Sequence, residues 1–343
     1  SGLFEMLYTP AILIVSFFVL NLFLVLKYRK IAKIVNIFDY PGLKRKIHNK
    51  KTPLIGGVIV IINIFVFSIF YFFFDSNLPE IKSNFDNKFN YLIFFFTALA
   101  LFVVGIFDDK KNLNATLKLA LLFFIYLILI NLDNELLIKS LRFSIISYEI
   151  NLGKYSYAFT ILCYVLFTNA CNMFDGINTQ SCSFFLIYFI FLVFFIPINI
   201  FLAMLLIVLI SLLYLNFDGK IFLGDSGIYL LSFIFSYMSV KYYNNALIPY
   251  SELICIVMLI PGLDMLRLFS QRILNQKNPF VADKLHMHHL LLSKYGYSKA
   301  KLFIITILAI PIVLIFFNIP NTLIIAFLFL LYFLVFVSLY KKN

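Results

Sequence analysis

The chain has no tryptophan and only four cysteines and four histidines in 343 residues. Cys163, Cys171, Cys182 and Cys255 form no Cys-x-x-Cys pair and lie in or beside apolar runs. That spacing excludes a disulfide framework or zinc knuckle, and makes them small, reduced core residues. Charge is scarce: 13% of residues, with 63% hydrophobic, against about 25% and about 45–50% in a soluble domain. A soluble globule is thereby excluded, since its surface would have to be apolar. Acidic residues are fewer than basic ones, 16 against 28, for a net charge of +12.

What is there instead is long apolar blocks. They run over about 8–26, 55–74, 91–107, 115–132, 155–170, 181–197, 199–215, 227–243, 250–267, 301–317 and 321–340. Each is near the length that crosses a hydrocarbon core of about 30 Å as a helix. The fold class is therefore an all-α polytopic membrane protein of about eleven spans, one domain over 1–343 with no internal repeat. The first block precedes a basic segment without a cleavage pattern, and reads as a span rather than a signal peptide. With the N-terminus outside, only Lys82, Lys88, Lys139, Arg142, Lys154 and Lys241 of the 28 basic residues fall outside. That asymmetry predicts N-out and C-in orientation in the plasma membrane. The basic inner face suits anionic lipid or phosphorylated substrates, and nothing calls for nucleic acid.

The polar clusters all fall at that inner side, in loops near 27–54, 108–115, 171–180, 216–226 and 268–300. They are Asp108-Asp109, "NACNMFDGIN" (169–178), "FLGDSG" (222–227), the histidines His286, His288 and His289, and the basic first loop. Each alone could be a cap or a solvated turn. Together they set carboxylates, lysines and histidines at one membrane depth. Carboxylates with carbonyls and water suit a hard cation such as Mg²⁺, and two adjacent aspartates favour a cation nearby. Lysines, histidines and a helix start at Asp225 suit diphosphate oxygens. The reading is a Mg²⁺–phosphate site. In 169–178 the polar residues recur every third position, which drifts round an α-helix. The helix is therefore expected to end irregularly near Gly176, with Asp175 and Asn178 lining a cavity.

These motifs, in this order, resemble the polyprenyl-phosphate N-acetylhexosamine-1-phosphate transferase superfamily, over most of the chain. The matching residues are Asp39, Pro41, Arg45, Lys46, His48, Pro53, Gly56 and Gly57; Asp108, Asp109 and Lys118; Asn172, Asp175 and Gly176. Phe222, Gly224, Asp225 and Gly227 follow, then Asp283, His286, His288 and His289. The resemblance implies transfer of an N-acetylhexosamine-1-phosphate from a UDP-sugar to polyprenyl phosphate, with UMP released. It also implies Mg²⁺, with Mn²⁺ as a substitute, held by Asp225 with Asp108 and Asp109. Phe222 would stack on uracil. Lys46 and Lys118 would hold phosphates, His48, Asn172 and Asn178 would bind substrate, and Asp108, Asp109, Asp175 and the three histidines would act at the reacting groups. Asn178 and Thr179 stand where the relatives carry Asp and Gly, so an amide replaces a charge beside the base. The histidine pattern resembles the simple-sugar branch, favouring UDP-N-acetylglucosamine and undecaprenyl phosphate. The rivals are a phospho-MurNAc-pentapeptide transferase and, from another class, an ion-coupled transporter, whose acids would lie near the bilayer midplane.

Overall fold

The computed structural model describes residues 2–40, 51–74, 84–277 and 285–340, the side chains of 2–9 and 74 excepted. Lys46, His48 and Asp283 lie outside them. The described residues form eleven long helices and one short one: α1 (Gly2–Val35), α2 (Gly56–Phe74), α3 (Lys88–Lys111), α4 (Ala115–Leu132), α5 (Ser156–Phe174), α6 (Gln180–Val193), α7 (Ile200–Phe217), α8 (Gly224–Asn244), α9 (Ser251–Leu274), α10 (Met287–Tyr295), α11 (Tyr297–Phe316) and α12 (Asn321–Tyr340). Each expected span coincides with one of the long helices. Nine are long and apolar enough to cross a membrane. Of the other two, α6 has 14 residues, about 21 Å at 1.5 Å per residue, and α8 opens on polar residues. Two short strand pairs complete the structure: β1 (Phe38–Asp39) with β2 (Thr52–Pro53), and β3 (Ser140–Leu141) with β4 (Ile150–Asn151).

Asparagine sets many boundaries. Asn87, Asn114 and Asn199 each accept a backbone N–H three residues on and so cap α3, α4 and α7. A short side-chain acceptor satisfies one of the orphan amides at a helix start. Within the bundle, Asn21 of α1 and Asn63 of α2 exchange amide hydrogen bonds of 2.7 and 3.2 Å, the kind of pairing polar groups need where water is absent.

The axis of the molecule is α8. Every residue from Ser226 to Tyr243 is buried, and α2, α3, α5 and α6 pack round it. The start of α8 is strapped to the start of α2. Phe222 N–H donates to the Pro53 carbonyl (2.9 Å), and Gly56 and Gly57 donate to the carbonyls of Phe222 and Leu223 (both 3.1 Å). This strap fixes the 222–224 segment that carries Phe222 into the site.

Candidate active site

The ends of α3, α5 and α9 and the starts of α4 and α8 meet at one end of the bundle. Asp108 and Asp109 lie inside the last turn of α3, which runs on to Lys111. Neighbours on an α-helix point about 100° apart, so the pair divides. Asp108 is fully buried, its carboxylate taken up by Leu113 N–H (3.0 Å), Tyr229 hydroxyl (2.8 Å) and Lys118 Nζ (2.7 Å). It does not line the cavity; it holds Lys118, which does. Asp109 turns the other way and accepts from the backbone N–H groups of Asp225 (2.8 Å) and Ser226 (3.2 Å). An acid of α3 thus caps α8, where unpaired amides and the helix dipole favour negative charge. Gly224 makes that approach feasible: its φ is 74°, and a Cβ there would come within 2.8 Å of Asp109 Oδ2.

Asp225, in the first turn of α8, accepts from the Asn172 amide at 2.5 Å. As expected, α5 ends irregularly, at Phe174. Asp175 is extended (φ −80°, ψ 105°), and Thr179 takes a left-handed φ of 71°. Asp175 also accepts from the Ser181 hydroxyl. Its carboxylate opens onto the cavity, yet the enclosing wall strips most bulk solvent from it. That burial pushes the Asp175 carboxyl up to about 7, with the negative charges of Asp109 and Asp39 adding to it.

Gly176 is without a side chain because the His288 imidazole occupies the space a Cβ would fill. His288 is buried, with the rings of His286 and His289 at 5.4 and 4.2 Å. Burial, then the two neighbouring histidines, lower its proton affinity well below the usual histidine range, so it stands neutral. Asn178 N–H donates to Tyr297 hydroxyl (3.0 Å), and its side-chain amide lies over Gly219. Asn216 binds the turn through Thr179 N–H (2.5 Å) and the next loop through the Ile221 carbonyl (2.7 Å).

The result is one cavity of about 990 Å³, lined by Asp109, Lys118, Asn172, Asp175, Asn178, Phe222, Asp225, His286, His288 and His289. With Asp39, which also lines it, five separate stretches of chain converge. Sequence reasoning missed Ser181, Asn216, Arg272 and Tyr297 as lining residues. Arg272 had a signal as a basic residue in the last turn of α9; Ser181 and Tyr297 had none. Among the described residues no three His, Cys, Asp or Glu side chains gather to hold a metal. Asp225 and Asp109 still supply hard oxygen donors on one wall. Mg²⁺ commonly takes only one or two carboxylates and completes its shell with water and substrate phosphates, so the residues fit that ion.

A helical membrane bundle whose acid-, amide- and cation-lined cavity opens at one end is built for chemistry on an anionic substrate at the membrane edge. Residues 91–243 match the model of glycosyl transferase family 4. The chain is 25% identical over 309 residues to the undecaprenyl-phosphate alpha-N-acetylglucosaminyl 1-phosphate transferase of Escherichia coli strain K12, covering 86% of this chain and 80% of that one. It is 26% identical to a probable enzyme of the same activity from Bacillus subtilis (79% and 73% covered). To the Thermotoga maritima protein of the first name it is 26% identical (85% and 84%). Over most of its length the chain is similar to undecaprenyl-phosphate N-acetylglucosaminyl 1-phosphate transferases.

Proposed function

We propose that the protein transfers N-acetylglucosamine-1-phosphate from UDP-N-acetylglucosamine to undecaprenyl phosphate, releasing UMP, on the cytoplasmic side of the plasma membrane. The lipid phosphate oxygen attacks the phosphorus next to the sugar, a new P–O bond forms, and the bond to UMP breaks. The observation that carries this reading is the convergence of the five motifs on one cavity. Relatives named for this activity span most of the chain.

The lipid phosphate monoester has a second pKa near 6, so at neutral pH most of it is already a dianion. The main task is to bring two anions together, which calls for positioning and screening of charge. Lys118, held by Asp108 at 2.7 Å, offers a fixed cation. Asp108 acts by orienting that lysine, because its own oxygens are occupied. Asp225, with Asp109 beside it, would hold Mg²⁺, which would screen the diphosphate charge. Phe222 offers its ring to the uracil, Asn172 orients Asp225, and the histidines face the diphosphate and sugar. Lys46 and His48 of the basic first loop would add phosphate contacts. The cavity-lining acids Asp109, Asp175 and Asp225 cluster at one end of the bundle, which suits transfer at the membrane surface better than an ion relay at midplane.

The test is purified protein in undecaprenyl-phosphate vesicles, given radiolabelled UDP-N-acetylglucosamine or UDP-MurNAc-pentapeptide. Label should enter lipid from the first donor only. Transfer from the second alone would assign the protein to the peptidoglycan branch.

A further inference from the structure

Asp264 lies inside α9, in the apolar stretch "PGLDMLRLF", and is 1% exposed. It belongs to none of the recognised motifs, yet its carboxylate is the hub of a network joining three elements. Arg267 Nη2 donates to Oδ1 at 2.8 Å, and the Tyr332 hydroxyl of α12 does so at 3.0 Å. Met287 N–H approaches both oxygens, at 3.2 and 3.3 Å. His286 Nδ1 lies 3.1 Å from Oδ2. Arg267 also donates to the Leu285 carbonyl at 2.7 Å. The backbone is thus gripped on both sides of His286, by Arg267 before it and by Asp264 after it.

This arrangement fixes the chemistry of the His286 ring. A carboxylate only accepts hydrogen bonds, so the proton must reside on Nδ1. The opposite nitrogen, Nε2, is turned away from Asp264. The ring itself lines the cavity with Asp225 and Lys118, and stacks on His288 with an interplanar angle of 9°. A group that sets both the tautomer and the aim of a histidine commonly governs what that histidine does. We infer that Asp264 is a positioning residue for the transfer reaction, acting through His286 to aim the Nε2 lone pair at a hydrogen-bond donor, a hydroxyl or the acetamido N–H, of the sugar-nucleotide. The inference rests on the transferase reading.

The test uses the full chain in lipid nanodiscs, with UMP release followed against both substrates. Asp264→Asn is expected to lower kcat about 10- to 100-fold while KM for the lipid stays within about twofold. Asp264→Glu keeps a charge beside Arg267 but moves it by one methylene. It is expected to fold, with an unchanged melting midpoint, and still to lose at least about tenfold in kcat. Tyr332→Phe removes one partner of Asp264 without touching His286, and should stay within about threefold of wild type. The decisive comparison is a cycle. In a His286→Ala background, Asp264→Asn should cost less than about twofold more, because groups acting as a unit are not additive. Multiplicative losses, full activity in Asp264→Glu, or a Tyr332→Phe loss equal to that of Asp264→Asn would each overturn the inference and leave a purely structural hub. These outcomes leave the transferase reading intact. Failure of the wild type to release UMP would sink both.

Discussion

The two ends of α8 carry the two polar layers of the molecule, and they are built on opposite plans. Asp225 and Lys241 are both on this helix, about 24 Å apart at 1.5 Å per residue. At the Lys241 end the groups close on one another. Lys241 donates to Asp86 at 2.8 Å, and Asn84 and Asn199 exchange amide bonds of 2.8 and 3.0 Å. Arg142 lies 4.1 Å over the Tyr243 ring and donates to the Pro249 carbonyl at 3.0 Å. Glu252 accepts from Ser144 N–H (2.7 Å) and Asn321 (3.1 Å). At the Asp225 end, Asp109, Asp175 and Asp225 face a cavity instead. Polar groups that hold a fold are satisfied by protein; those kept for a reaction are left facing a space that a ligand will fill.

The largest expected effect breaks the open layer. Asp225→Asn should reduce UMP release about 100- to 1,000-fold, the usual cost of losing one preorganised charge at a reacting centre. Its melting midpoint should hold or rise, because one of several crowded acids becomes neutral. A fall in midpoint matching that of a core mutation would place Asp225 with the structural groups.

Lys118→Met comes next and probes the boundary between the plans. It leaves Asp108 buried without its cation, which should cost on the order of 3 kcal/mol of stability as well as activity. In Asp108→Asn the buried charge is gone, so stability should largely recover in the double variant while activity stays low. Thermal unfolding of the three proteins, read alongside their rates, checks this.

Asp86→Asn should do the reverse of Asp225→Asn, costing under about 1 kcal/mol of stability with the rate unchanged. Burial raises the affinity of Asp86 for a proton, but the hydrogen bond of Lys241, that of Glu135, the charge of Lys241 and the Asn90 amide together outweigh it, and the net effect holds the carboxyl below its usual range. The sign follows: a depressed acid stabilises the fold above its unfolded pKa, near 4, and that contribution is lost as pH falls through the folded value. Melting curves between pH 7 and 3 should steepen in wild type relative to Asp86→Asn. Parallel curves would remove the ion pair from the account.

The smallest effect is expected at Asn178. Asn178→Asp introduces a charge beside the cavity, and kcat/KM for UDP-N-acetylglucosamine should stay within about threefold, because the amide already offers a hydrogen bond at the cavity wall. A tenfold change would mean that charge itself reads the base.

Much of this was legible in the residues. The spans follow from apolar length, and the broken end of α5 from the spacing of Asn169, Asn172, Asp175 and Asn178. The motif residues could be grouped because polarity is conspicuous in an apolar chain. Three things were not readable. Asp108 and Asp109 are neighbours, and only the rotation of α3 against α8 separates a lysine holder from a helix cap. Asp264 is a lone acid in an apolar run whose partners arrive 22 and 68 residues later. Ser181 and Tyr297 become site residues only because a turn at Thr179 and the start of α11 bring them to the same wall.

The central claim is that the open layer is a transfer site for a sugar-nucleotide diphosphate and a lipid phosphate. The most direct measurement is UMP release by the purified protein in bilayers, with each substrate omitted in turn and with Mg²⁺ present or chelated. The account predicts UMP only when UDP-N-acetylglucosamine, undecaprenyl phosphate and Mg²⁺ are all present, in equal amount to the lipid-linked sugar formed. UMP released without the lipid acceptor, or at full rate under chelation, would contradict it.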